Sequence, residues 1–202
     1  MKKLVVIAAT CALFGSATAA LAAGDAAAGK AKSATCAACH NADGNSANPQ
    51  YPKLAGQGEG YLLKQLQDHK SGARVNAIMA GMVAPLSPQD MEDLSAYYAS
   101  QQIARGAADP ALAPVGEAIF RGGNLNSGVS ACMACHGPNG AGIPAAKFPA
   151  IAAQHAEYTE LQLKAFRAME RANDAGQMMR SIASKMTDAE IKAVSSYIQG
   201  LQ

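Results

Sequence analysis

The sequence has no tryptophan and little aromatic content of any kind, six tyrosines and four phenylalanines in 202 residues. Half of it is hydrophobic, but alanine supplies much of that half, so large side chains are scarce in a chain of one- or two-domain size. The cores it can build from protein alone are small, and something other than protein is expected to help fill them. Charge of one sign is lacking as well: 17 basic residues stand against 15 acidic ones, with no basic run. That balance excludes an electrostatic grip on nucleic acid. Alternating strand-like patterns are missing around the cysteines, and after the N-terminus no segment is apolar enough to span a bilayer.

What is present begins at the first residue. Met1-Lys2-Lys3 is a short basic start, Leu4 to Phe14 is apolar, and the small residues that follow end in Ala20-Leu21-Ala22. This is the pattern of a secretory signal peptide, residues 1–22, with the mature chain starting at Ala23. Thr10, Gly15, Ser16 and Thr18 break the run too often for a permanent membrane span, which wants ~20 mostly apolar residues. Cleavage removes Lys2, Lys3 and Cys11, leaving 15 basic against 15 acidic residues and four cysteines, all exported. Cys11 sits inside the apolar run rather than at its end, so it reads as small apolar filler.

The four remaining cysteines form Cys36-Ala37-Ala38-Cys39-His40 and Cys132-Met133-Ala134-Cys135-His136. Both are C-x-x-C-H, the attachment motif of c-type haem. Two thiols one turn apart can add to the two vinyl groups of a haem, and the next residue then directs an imidazole at the iron. Zinc is a poor alternative, because paired C-x-x-C sites are usually spaced by ~15–20 residues and 92 residues separate Cys39 from Cys132. A thioredoxin-like site wants one such pair near a βαβ pattern. Two structural disulfides suit the compartment but leave both histidines unexplained.

An internal repeat supports one haem per half. With His40 laid on His136, Tyr51-Pro52-Lys53-Leu54-Ala55-Gly56-Gln57 runs beside Phe148-Pro149-Ala150-Ile151-Ala152-Ala153-Gln154, and Tyr61 beside Tyr158. Ser87 to Tyr97 likewise meets Thr187 to Tyr197, and Gly29-Lys30-Ala31 meets Gly116-Glu117-Ala118, with Arg121 to Ser130 inserted in the second half. Residues 104–114, with Asp109-Pro110 and Pro114, read as the connection between halves 23–103 and 115–202. Leu62, Leu63, Leu66 and His69 recur at helical spacing, as do Met91, Leu94, Tyr97 and Tyr98. Ser87-Pro88-Gln89-Asp90 and Thr187-Asp188-Ala189-Glu190 are helix starts, the second a full capping-box pattern.

On these residues the chain resembles the class I cytochromes c and, as a tandem pair, the di-haem cytochrome c4 family. The resemblance runs from Gly24-Asp25 through both C-x-x-C-H motifs and Tyr61-Leu62-Leu63-Lys64-Gln65-Leu66 to Ser195-Ser196-Tyr197-Ile198. It implies an all-α fold of two tandem mono-haem domains with two covalently bound haem c groups. It also implies a periplasmic electron carrier, soluble or held at the inner-membrane surface. Its partners would be redox proteins, a quinol-oxidising cytochrome complex as donor and a terminal oxidase or other reductase as acceptor. In class I cytochromes c a proline carbonyl about a dozen residues on receives the second imidazole nitrogen, and Pro52 and Pro149 stand there.

A low-spin electron-transfer haem also needs its sixth position closed, and methionine sulfur is the expected type. The candidates are Met79, Met82 and Met91 in the first half and Met169, Met178, Met179 and Met186 in the second. Register selects Met79 and Met179, each eight residues ahead of its capping Ser87 or Thr187; Met82, Met178, Met186 and Met91 would each answer an isoleucine or leucine. The expected ligand set is thus His40 with Met79 and His136 with Met179, with Cys36, Cys39, Cys132 and Cys135 as attachment points. His69 and His155 answer Phe166 and Gly58 and are expected to be ordinary helix-face or surface residues. The competing function is a di-haem enzyme, of peroxidase or thiosulfate-oxidising type, with one displaceable ligand. A matching methionine in both halves and the lack of a spare cysteine favour the carrier.

Overall fold

A computed structural model describes residues 24–201, so the export segment expected at 1–22 lies outside the described residues. The described chain repeats one helical plan twice. The first half runs α1 (Ala26–Lys32), α2 (Ala34–His40), α3 (Glu59–Ser71), α4 (Ala77–Val83) and α5 (Pro88–Ala99). The second runs α6 (Ala113–Gly122), α7 (Met133–His136), α8 (Ala156–Arg167), α9 (Met178–Ala183) and α10 (Asp188–Gly200). Among the described residues, extended pairing is limited to isolated bridges, Asn124 with Val129 and Ile143 with Phe148. The all-α expectation holds.

The helix starts follow local chemistry. Ser87 Oγ accepts the Asp90 amide at 3.1 Å while Asp90 Oδ2 accepts the Ser87 amide at 2.8 Å. Thr187 and Glu190 do the same at 3.2 and 2.8 Å, so aspartate closes a capping box in the first half as glutamate does in the second. α6 starts earlier than the expected boundary and takes in Ala113 and Pro114, which the sequence places in the connection. Proline is tolerated there because the first turn needs no amide hydrogen from it. Arg121 and Gly122 are likewise helical rather than part of the inserted loop.

Each half is built on a crossing of its first and last helices, α1 on α5 and α6 on α10. The crossings are close because glycine occupies both contact points. A Cβ on Gly29 would lie 2.0 Å from the Asp93 carbonyl oxygen and 2.8 Å from Tyr97 Cβ, and one on Gly116 would lie 2.3 Å from the Ala193 oxygen and 2.6 Å from Tyr197 Cβ. The helices α3 and α8 pack on the same terminal helices and finish a shallow core.

The two cores differ in size. Leu62, Leu94, Tyr97 and Tyr98 make the buried cluster of the first half. Ile119, Phe120, Val129, Leu163, Met186, Ile191, Val194, Ile198 and Leu201 make that of the second. The first half therefore has less apolar burial of its own to offset chain entropy.

Candidate functional site

Each C-x-x-C-H motif ends a short helix, α2 or α7, so its histidine is the last helical residue and leaves the helix axis toward the core. His40 and His136 are buried, 7% and 8% exposed. The Nδ1 of His40 lies 2.9 Å from the Pro52 carbonyl oxygen, and that of His136 lies 2.9 Å from the Pro149 oxygen. A carbonyl only accepts, so Nδ1 carries the hydrogen and Nε2 keeps its lone pair. Burial lowers both imidazoles below their ordinary value, against the opposing pull of the proline carbonyls, and holds them neutral. Neutral imidazole with Nδ1 occupied is the form that binds a metal through Nε2.

None of the four cysteines is in a disulfide, and all four are half-buried. Cys36 packs beside Leu54, Leu66 and Leu86 on the first core, and Cys132 packs on the second with Met133, Ile151, Met179 and Ile182.

Of the methionines, Met91 and Met186 are buried core residues, 5% and 4% exposed. Met82 and Met178 lie at the surface, and Met79 and Met179 are half-buried on α4 and α9. The Met79 amide donates to Asn76 Oδ1 at 2.9 Å, which anchors the first turn of α4. Met179 and Cys132 share the second cluster; Met79 is not among the side chains packed on the first.

The halves meet through polar groups arranged about an approximate two-fold relation. Gln57 donates to the Ala150 carbonyl and accepts its amide, both at 2.8 Å. Gln154 does the same to Lys53, at 2.9 and 2.8 Å. Nearby, Arg74 donates to Tyr158, Gln162 and Gln65, and Arg171 donates to Tyr61, Gln65 and Gln162, all at 2.8–3.2 Å. The buried Lys53 ammonium donates to Ala104 of the connection at 2.5 Å and to Ala153 of the second half at 3.0 Å. His155 reaches across to the Ser46 carbonyl at 2.8 Å, so it is a seam residue rather than an ordinary surface one. His69 stays within its own half, its Nδ1 3.0 Å from the Arg74 carbonyl.

The pattern of the family described as Cytochrome c matches residues 26–102 and again 116–202. The chain belongs to the cytochrome c family. Cytochrome c4 of Pseudomonas aeruginosa is 55% identical over 181 residues, covering 89% of this chain and 90% of that protein. The crystal structure of reduced recombinant cytochrome c4 from Pseudomonas stutzeri superposes with a TM-score of 0.87 at 53% identity, covering 89% of this chain and all of that one. A thiosulfate dehydrogenase electron acceptor of Thiomonas intermedia is 39% identical over 175 residues, 83% of this chain and 78% of that protein.

As a tandem cytochrome c, the protein carries two covalently bound haem c groups and transfers electrons rather than catalysing a reaction. The residues present fit that cofactor: in each half two unpaired thiols one turn apart precede a buried neutral imidazole whose far nitrogen is anchored. What sequence reasoning missed is the seam. Gln57 and Gln154 stand in the quoted repeat, and Tyr61, Gln65 and Arg74 recur as Tyr158, Gln162 and Arg171. A repeat reports that both halves keep a residue, not that the two copies face each other.

Proposed function

We propose that His40 with Met79 and His136 with Met179 hold the two irons, and that the pair serves as an electron relay in the periplasm. The donor in this reading is a quinol-oxidising cytochrome complex and the acceptor a terminal oxidase or other reductase. The observation that carries it is the equivalence of the halves: the same histidine-to-proline anchor at 2.9 Å in both, and a half-buried methionine eight residues ahead of a capping box in both. The bound haem supplies one-electron cycling between Fe(III) and Fe(II). The proline carbonyls fix the imidazole planes and raise their donor strength, and a thioether ligand from Met79 or Met179 would favour the ferrous state and lift the potential. Two closed irons leave no place for a substrate, which is what a carrier needs.

A thiosulfate-oxidising enzyme as donor is a second reading, favoured by the similarity to the Thiomonas intermedia protein, whose own name makes it an acceptor of such electrons. The test is the visible spectrum, haem count and potentiometry of the protein matured in a periplasm. Two haems per chain, both low-spin, with two one-electron waves and no rapid carbon monoxide binding at neutral pH are expected. A high-spin fraction or rapid carbon monoxide binding would overturn the closed-iron reading. Electron uptake from a purified quinol-oxidising complex, compared with uptake from a thiosulfate dehydrogenase, separates the two donors.

A further inference from the structure

The approach to the two methionines is not equivalent. From Arg74 to Met79 is five positions, and from Arg171 to Met179 is eight. In the first half Asn76 caps α4 and holds the Met79 amide. In the second, the longer approach passes through two consecutive left-handed residues, Gly176 at φ 59° and Gln177 at φ 58°, and Gln177 gives α9 no side-chain cap. The anchor comes from elsewhere. Asp174 Oδ2 accepts the Arg180 amide at 3.0 Å and its Oδ1 accepts Arg180 Nε at 2.6 Å. The side chains of this pair are 5% and 17% exposed, whereas the helix-surface pair Glu117 and Arg121 is about half exposed on both sides. The first half has Ala80 in the place of Arg180 and so no counterpart.

We infer that the Asp174–Arg180 pair is a positioning clamp for the second iron's methionine. The Arg180 amide belongs to the peptide group that Met179 itself closes, so holding that N–H holds the backbone orientation from which the Met179 thioether projects. The second contact, from Arg180 Nε, makes the hold bidentate and buried. Removing the Asp174 carboxylate frees the Arg180 amide and leaves the guanidinium without its partner, whereas removing the Arg180 side chain leaves the shielded carboxylate with the amide alone; either change favours the segment swinging outward. Swinging outward carries Met179 with it. The clamp rests on Met179 being the ligand, and the experiment below separates the two ideas.

The experiment uses the ferric protein with both haems attached and titrates imidazole, following the near-infrared sulfur-to-iron band that disappears as methionine is displaced. Asp174→Ala and Arg180→Ala should each raise imidazole affinity at one haem by at least about tenfold, ~1.4 kcal/mol, and leave the other haem unchanged. The double variant should shift by less than the two single effects combined, as for groups that act as a pair. Arg180→Lys, which keeps a cation beside Asp174, should stay closer to the parent. If the Asp174 variant does not mature, the two Arg180 variants carry the same comparison. If Met179→Leu abolishes half of the band while none of the clamp variants changes imidazole affinity, the clamp is wrong and the ligand assignment stands. If Met179→Leu keeps the whole band, the ligand assignment fails and takes the clamp with it. Equal weakening at both haems would mean general loosening and would also overturn the clamp.

Discussion

Replacing Gly116 by alanine sets two physical effects against each other with opposite signs. Gly116 lies inside α6, and in a helix interior alanine is favoured over glycine by about 0.8–1.0 kcal/mol. Propensity alone therefore raises stability. The added Cβ, however, would sit 2.3 Å from the Ala193 carbonyl oxygen and 2.6 Å from Tyr197 Cβ, about 1 Å inside ordinary contact distance. Neither neighbour is the far end of a flexible side chain; one is the α10 backbone and the other is fixed to it. The helices must separate, and overpacking of this kind typically costs about 1–3 kcal/mol or more. Set against the propensity gain, the net expectation is a loss of up to about 2 kcal/mol, which for a half of this size lowers its melting temperature by up to roughly 15 °C. Gly29→Ala should act alike in the first half, where the clash with the Asp93 carbonyl is 2.0 Å. The assay is thermal unfolding by far-ultraviolet circular dichroism, with Ala118→Gly on the exposed face of α6 as a pure propensity control, expected to lose about 1 kcal/mol. If Gly116→Ala melts higher than the parent, the crossing is not tight and the reasoning fails.

Met79→His and Met179→His should each lower one of the two reduction potentials and remove about half of the near-infrared band, while Met82→Leu and Met178→Leu keep both; potentiometry and the band decide, and the reverse pattern would refute the register argument. Cys36→Ala with Cys39→Ala should unfold the first half, whose buried cluster has four members, more completely than Cys132→Ala with Cys135→Ala unfolds the second, whose cluster has nine; equal protease protection in both variants would count against haem as the missing core. Gln57→Ala strips the Ala150 amide and carbonyl of their partner and should cost about 1–3 kcal/mol of docking, seen as slower electron transfer between the haems in flash reduction; an unchanged rate with the halves demonstrably apart would sink that view. His69 is held down to about 4, by burial first and by Arg74 next; because its unfolded value is near 6.5, the unfolded chain binds more protons between those values, so stability is full above about pH 6.5 and falls as pH drops toward 4. His69→Gln should flatten that part of the pH–stability curve, measured by denaturant unfolding.

The chemistry of this protein was legible in the linear sequence because covalent haem attachment imposes a strict local spacing. Two thiols and a histidine must lie within five residues, and no partner distant in sequence is needed to recognise them. The helix starts at Ser87 and Thr187 were legible for the same reason, since a capping box is closed within four residues. Repetition carried the methionines further, because the same offset from a cap in both halves points to one geometry. The precise start of α6 was not legible: a proline in a connection and a proline in a first turn look alike until the following helix finds its partner α10.

The seam, and the contacts that anchor each methionine segment, were decided by tertiary structure alone. Gln57 and Ala150, or Arg74 and Tyr158, are more than 80 residues apart, and nothing in their neighbourhoods states that one half lies against the other. Asp174 and Arg180 are close in sequence, yet on paper they are an ordinary pair of surface charges. Burial turns them into a clamp, because out of water each charge depends on the other. Short-range covalent and hydrogen-bonding rules are thus written in the order of residues, whereas the energetic meaning of a polar group depends on what surrounds it, and only the folded chain supplies the surroundings.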